Sequence, residues 1–171
     1  MEGKRKNNIV LIGMPASGKS TVGVILAKVL GMDFIDCDLV IQKETGRLLS
    51  DIIDFDGVEA FMQTENRILS RISAENSVIA TGGSAVYGTD AMANLKGNGI
   101  TVYLHVSFEA ICQRLHDIHQ RGVVIKPGQT LRDIYDERII LYEKYADLII
   151  DETGKGIEEV VRNVSESLRR L

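Results

Sequence analysis

Five short stretches of the chain are apolar at nearly every position: 8–12 (NIVLI), 33–35, 77–80 (SVIA), 101–104 (TVYL) and 148–150 (LII). A strand with one face in water alternates apolar and polar residues, so unbroken apolar runs this short predict strands covered on both faces. Between them apolar positions recur at helical spacing, which predicts helices at about 19–30, 57–74, 88–96, 107–118, 131–145 and 156–170. Strand alternating with helix predicts an α/β fold in three layers, a parallel sheet between two sheets of helices. Ligands on such sheets collect at the carboxyl ends of the strands. One segment breaks the alternation: HDIHQRGVVIKPGQT (116–130) carries Gly122, Pro127 and Gly128 and joins two helices without a strand of its own. A loop of that length inside a compact domain predicts a functional lid.

Composition narrows the picture to a single domain over 1–171. A chain of 171 residues with 44% hydrophobic and 26% charged residues can bury one core and has the make-up of a soluble globular protein. There is no repeat, low-complexity tract or proline-rich linker. No apolar run approaches the roughly 20 residues of a membrane helix, and MEGKRKNN leads into a strand pattern instead of a signal sequence, so a cytoplasmic location is expected. The net charge of −4 gives no general basic field, which excludes nucleic acid and anionic membrane as partners and requires any anion to be bound locally. The two cysteines, Cys37 and Cys112, lack metal-binding or redox spacing and are expected to be free thiols.

The local anion site is legible. GMPASGKST (13–21) fits the pattern G-x-x-x-x-G-K-[ST], with a predicted strand before it and a predicted helix after it. Its glycines allow the backbone N–H groups to turn inward, the helix N-terminus adds partial positive charge, Lys19 can reach outer phosphates and the Ser20 hydroxyl can ligate magnesium. Gly13, Ala16, Ser17, Gly18, Lys19, Ser20 and Thr21 are therefore candidate nucleotide-binding residues. The N-K-x-D element with which GTPases of this loop class read guanine is absent, which favours ATP. The length suits a small-molecule kinase better than a mechanochemical ATPase.

A second constellation follows the second predicted strand. In FIDCDLVIQKETG (34–46), Asp36 and Asp38 stand two apart at a strand end that faces the phosphate loop. One carboxylate could organise magnesium while the other accepts a proton from an attacking hydroxyl. Equally, Asp38 precedes LVIQKE and could simply cap a helix.

Taken with GVEAFMQTE (57–65), VIATGGSAV (78–86) and ERIILYEKYADLIID (137–151), these segments resemble the shikimate kinases in order and spacing, over about residues 8–165. The resemblance implies a five-stranded parallel sheet, a monomer, and ATP- and Mg2+-dependent phosphoryl transfer to a hydroxyl of shikimate. It further implies that Lys19 binds phosphate, Ser20 ligates magnesium directly and Asp36 does so through water. By the same resemblance Asp38 holds and activates the acceptor hydroxyl, and Gly82 and Gly83 bring backbone N–H groups to the substrate. Arg121 corresponds to a lid arginine on the transferring phosphate, Arg114 to one that stacks on adenine, and Arg138 to one of two arginines that grip the substrate carboxylate.

Three positions depart from that pattern, all on the acceptor side. Where the family reads F-R-x-x-E this chain reads FMQTE, placing Met62 where a second carboxylate-binding arginine belongs. The family's three-glycine turn ends in Ser84, and its R-P-L-L lid reads RGVV, with Gly122 in place of proline. Losing a bidentate arginine to a buried carboxylate costs on the order of 2–5 kcal/mol. Either another cation replaces it, with Arg67, Lys126 and Arg132 as candidates, or the acceptor is a different small hydroxylated metabolite. A nucleotide-binding regulator without transferase activity is a third reading, which the retained Lys19, Asp36, Asp38 and Arg121 oppose.

Overall fold

In the computed structural model, which describes residues 7–115 and 123–171, the five apolar runs form one sheet whose strands are all parallel. In chain order the elements are β1 (Asn8–Ile12), α1 (Lys19–Leu30), β2 (Asp33–Asp36), α2 (Cys37–Thr45), α3 (Leu49–Asp56) and α4 (Val58–Leu69). Then come β3 (Ser77–Ala80), a 3-10 turn at Ala85–Tyr87, α5 (Thr89–Asn98), β4 (Gly99–His105) and α6 (Phe108–Arg114). The chain ends with α7 (Leu131–Tyr145), β5 (Leu148–Asp151) and α8 (Ile157–Leu168). The strand order is β2-β3-β1-β4-β5. β1 is central, pairing Ile9 with Val78 on one side and with Ile100 on the other.

In β1, β3 and β4 the continuous apolar runs have a simple cause, since successive side chains serve two cores; the edge strand β5 departs from the expectation of two covered faces, leaving Ile149 exposed. Ile9, Leu11, Val78, Val102 and Leu104 pack beneath α1 and α8 with Val22, Leu26, Val160 and Val164. Val10, Ile12, Ile79 and Tyr103 face the opposite way, toward Phe61 and Ile68 of α4, Met92 and Leu95 of α5 and Tyr142 of α7. Among the described residues no helix is long and apolar enough to cross a membrane.

Connections after β1 and after β3 leave on opposite sides of the sheet, so the carboxyl end of β1 lies where the strand order reverses, the usual ligand position in such sheets. Two departures from the sequence expectation bear on the site. The segment between α2 and α4 contains α3, a helix not foreseen, whose Leu48 N-cap makes no side-chain hydrogen bond and whose Phe55 is exposed. α4 is shorter than expected: Gly57, at φ 89° and ψ 164°, breaks the chain before it, and Ser70 closes it.

Candidate active site

β1 ends at Ile12 and the chain turns at once. Gly13 sits at φ 150°, and a Cβ there would lie 2.7 Å from the Leu104 carbonyl oxygen, so only glycine lets the loop lie against β4. Ala16 (φ 62°) and Gly18 (φ 86°) are both left-handed. At Ala16, which has a side chain, that conformation costs on the order of 1–3 kcal/mol, and such alternation turns successive N–H groups into an anion-binding concavity. α1 then starts without a side-chain cap, leaving its first N–H groups to whatever occupies the concavity. The buried Lys19 folds back over the loop, its Nζ donating to the carbonyls of Gly13 (2.9 Å) and Met14 (2.8 Å) and to Ser17 Oγ (3.4 Å). Burial pushes its pKa down to about 8, against the opposing pull of Asp38 and Glu152.

Ser20, one residue on, donates to Asp36 Oδ2 at 2.7 Å. The other oxygen of Asp36 accepts from the backbone N–H groups of Asp38 (3.0 Å) and Leu39 (3.3 Å). Asp36, not Asp38, therefore caps α2, which corrects the capping alternative read from the sequence and leaves the Asp38 side chain to line a cavity. The hydroxyl of Ser20 and the carboxylate of Asp36 form a pair of hard oxygen donors at the mouth of α1. That donor set suits Mg2+, which takes few protein ligands and keeps waters and substrate phosphates; among the described residues no group of three or more His, Cys, Asp or Glu forms a self-sufficient cage. Asp38 has its pKa raised to about 6, first by burial and then by the neighbouring charge of Asp36, with Lys19 pulling the other way.

The cavity that Asp38 lines has a volume of about 330 Å³ and runs from the phosphate loop to α4 and α7. Its far wall is the turn after β3. A Cβ on Gly82 would lie 2.8 Å from Glu65 Oε1 and 3.1 Å from Asp38 Oδ1, and one on Gly83 would lie 2.6 Å from Pro15 Cδ and 3.1 Å from Arg138 Nη1. Two bare glycines thus let two carboxyl groups and a guanidinium close on one short turn. Tyr142 donates to the Gly83 carbonyl at 2.7 Å, and the Ser84 hydroxyl donates to Glu65 Oε2 at 2.6 Å. Arg138, only 1% exposed, donates through Nη2 to the Val124 carbonyl (2.7 Å) and through Nε to Tyr87 (3.4 Å). Glu65 Oε1 and Arg138 Nη1 are buried without a hydrogen-bond partner among the described residues. Proteins rarely leave such atoms unpaired, and here both belong to residues on a cavity wall. Burial pushes the Glu65 carboxyl up to about 7, although the Ser84 hydrogen bond works in the other direction.

A second cavity, of about 570 Å³, opens on the other side of the same loop and shares Ala16, Gly18 and Thr21 with the first. Arg114 stands over it, its Nη1 donating to Glu152 Oε1 at 2.9 Å and to the Ala16 carbonyl at 3.3 Å. Glu152 is 3% exposed, and burial raises its pKa while Arg114 restrains it.

The residues singled out in the sequence thus fall into two groups. Lys19, Ser20, Asp38, Gly82, Gly83, Ser84 and Arg138 meet at the first cavity, and Ser17 and Arg114 at the second. Met62 differs from expectation, packing half-buried against the apolar core and taking no place on the wall. Phe61 and Glu65 stand one turn apart on the cavity side of α4, and position 62, about 100° from Phe61 and about 60° from Glu65, lies on the flank, where an apolar side chain packs on the core in place of reaching round to the cavity. None of the candidate replacement cations reaches the wall: Arg67 is exposed, Lys126 pairs with Glu59 (3.2 Å) and Arg132 with Asp136 (2.9 Å). Arg121 and Gly122 lie outside the described residues, but Val123 and Val124, which follow them, are buried and line the first cavity. Sequence reading missed Glu152 and the link between Glu65 and Ser84; a carboxyl two positions past the predicted strand at 148–150, at the sheet's carboxyl end, was the available signal for the first.

Comparison with known proteins agrees with this geometry. A family model described as shikimate kinase matches residues 15–169. A shikimate kinase of Thermodesulfovibrio yellowstonii is 38% identical over 96% of this chain and 96% of its own length, and one of Pseudomonas paraeruginosa is 37% identical over 96% and 97%. Among solved structures, shikimate kinase from Acinetobacter baumannii in complex with shikimate superposes with a TM-score of 0.88 at 32% identity, covering 98% of this chain and 95% of the other.

Proposed function

The chain belongs to the shikimate kinase family, and on that premise we propose that it transfers the γ-phosphoryl group of ATP to a hydroxyl of shikimate. The observation that carries this reading is the pair of cavities sharing one phosphate loop. A nucleotide with its phosphates on the loop directs its base toward Arg114 and its terminal phosphate toward Asp38 and Arg138.

In this reading the acceptor hydroxyl lies against Asp38, whose raised pKa of about 6 leaves it ionised at neutral pH yet more basic than an ordinary aspartate. Its carboxylate takes the hydroxyl proton as the oxygen bonds to phosphorus and the bond to the ADP oxygen breaks. Lys19 moves from the loop carbonyls to the outer phosphates, where its charge offsets what develops in transfer. Ser20 and Asp36 would hold Mg2+, which would neutralise phosphate charge. Gly82 and Gly83 present backbone to the acceptor, Arg138 offers Nη1 to its carboxylate, and Leu49, Phe61, Val123 and Val124 keep water from the reacting atoms. Arg114, oriented by Glu152, is assigned to adenine, and Arg121, by family resemblance, to the transferring phosphate.

An ADP-release assay with purified enzyme, Mg·ATP and shikimate tests the proposal. Turnover of about 1–100 per second is expected, and no ATP-dependent product at millimolar shikimate overturns it. One observation favours a second reading, a different small hydroxylated acceptor: among the described residues Arg138 is the one guanidinium on the acceptor wall, where the family pattern has two, because position 62 is methionine. A panel of polyols and hydroxy acids in the same assay separates the two.

A further inference from the structure

The acceptor wall poses a problem of charge. Its turn gathers Asp38, Glu65 and Arg138, and no second guanidinium joins them among the described residues. An acceptor that brings its own carboxylate adds a negative charge beside two carboxyl groups, against Arg138 and, toward the phosphate loop, a Lys19 that the nucleotide phosphates engage. Like charges this close in low dielectric do not all stay ionised. Something must take up a proton or the acceptor is repelled.

Glu65 is built for that task. Ser84 donates to Oε2 at 2.6 Å, which ties that oxygen down as an acceptor and leaves Oε1 as the position for a proton. Oε1 is buried, has no partner and belongs to the same wall as the unpartnered Nη1 of Arg138. Both atoms approach consecutive residues of one turn, Oε1 within 2.8 Å of a Cβ position on Gly82 and Nη1 within 3.1 Å of one on Gly83. A carboxylate set against this turn finds a guanidinium N–H from one side and, if Oε1 is protonated, an O–H from the other.

Resting on the acceptor reading above, we propose that Glu65 acts as a neutral carboxylic acid that donates from Oε1 to the acceptor's carboxylate, opposite Arg138 Nη1, with Ser84 fixing the oxygen that donates. Acceptor binding then takes a proton from solvent onto Glu65 and forms one hydrogen bond where the family pattern has an arginine fork. Methionine at position 62 and serine at the third position of the turn become two parts of one device. The groups that face Glu65 are consistent with it. From α2 come the Asp38 carboxylate and the Cys37 thiol, and from α7 Arg138 and the Tyr142 phenol. The Ser84 hydrogen bond and, less strongly, Arg138 favour the ionised carboxylate, and burial outweighs both, holding Glu65 at about 7. On the remaining sides α3 presents Leu49 to the cavity, and α5 directs Asp90 to Asn66 instead.

The test is calorimetric titration of the full-length enzyme with shikimate at pH 8, in two buffers that differ in ionisation enthalpy, beside the turnover assay. Wild type is expected to take up close to one proton per shikimate bound, because a group titrating near 7 is about nine-tenths deprotonated at pH 8 before binding. Glu65→Gln, whose amide carries permanent N–H donors, is expected to take up about none. Over pH 6.5 to 8.5 at saturating Mg·ATP, the KM for shikimate is expected to rise about tenfold or more in wild type and to stay level in Glu65→Gln. Shikimate that binds wild type without proton uptake overturns this inference and leaves the kinase reading standing. Uptake that survives in Glu65→Gln overturns it too, by assigning the proton to another group. Failure of wild type to bind or turn over shikimate removes the acceptor reading and this inference with it.

Discussion

Replacing Ser84 with alanine perturbs a single bond of the wall. The substitution keeps the Cβ and the backbone at φ −88° and ψ −9°, and deletes the hydroxyl that donates to Glu65 Oε2 at 2.6 Å. A hydrogen bond to an ionised partner contributes about 1.5–3 kcal/mol, and its loss leaves a buried carboxylate oxygen unpaired, whereas the same bond to a neutral acid contributes nearer 1 kcal/mol. The sign with pH follows from linkage. Burial holds Glu65 at about 7, above its ordinary value of 4.5, so stability falls as pH rises through that window. Ser84 moderates the fall by favouring the ionised form. Its removal therefore costs more above pH 7 than below it. For a chain of this size about 2–4 °C of Tm corresponds to 1 kcal/mol, so thermal denaturation at pH 8 should show a drop of roughly 3–12 °C, and at pH 6 a drop of no more than about 4 °C. A drop equal at the two pH values, or below about 2 °C at both, refutes the reasoning and makes the contact incidental. Ser84→Gly should lose a further 0.4–1 kcal/mol or so through the greater freedom of the unfolded chain.

Asp38→Asn retains shape and removes the proton acceptor, so kcat should fall about 10²- to 10⁴-fold while nucleotide affinity, measured by calorimetry, stays within about twofold. A comparable loss in both shows that Asp38 supports the phosphate loop instead of the transfer. Gly83→Ala places a Cβ 2.6 Å from Pro15 Cδ and 3.1 Å from Arg138 Nη1, forcing apart the phosphate loop and the acceptor wall. Stability should drop by about 1–3 kcal/mol in urea denaturation and kcat/KM for shikimate by about a hundredfold; near-wild-type kinetics would mean that the turn has slack the geometry does not show.

Much of the scaffold was legible because its causes are local. The runs at 8–12 and 77–80 and the helix at 19–30 emerge with the boundaries that the pattern predicts, the two strands apolar enough to serve two cores and the helix to cover one. α3 was not legible for the opposite reason. Leu49, Ile52 and Ile53 do carry helical spacing, but over only eight residues, with no side-chain cap and with Phe55 exposed off that face, and what fixes the helix is packing of Leu49 and Ile52 into a core that the local sequence does not contain. Asp36 and Asp38 show the limit from another direction. Either could cap a helix, and the choice depends on Ser20, sixteen positions earlier, which takes Asp36 Oδ2 and sets that carboxylate at the helix start.

The same distinction governs the acceptor site. Reading position 62 by correspondence alone finds a lost arginine and asks which cation replaces it, and the candidates it offers, Arg67, Lys126 and Arg132, all turn elsewhere. Reading α4 by its period poses a better question. Phe61 and Glu65 share the cavity side while Met62 faces the core, so the acidic residue already on the wall is the one whose state must change when an anion arrives. A chain that loses a fixed positive charge need not recruit another; it can surrender a negative one. Ser84, nineteen residues from Glu65 and visible in the sequence only as an imperfect glycine turn, favours the ionised form and does not drive that change; it fixes Oε2 as the accepting oxygen, so that the proton goes to Oε1. On this argument the departures at 62 and 84 are coupled. Met62→Arg and Ser84→Gly made together should then strengthen shikimate binding by more than the sum of the two single reversions, a non-additivity that a double-mutant cycle on shikimate affinity measures directly.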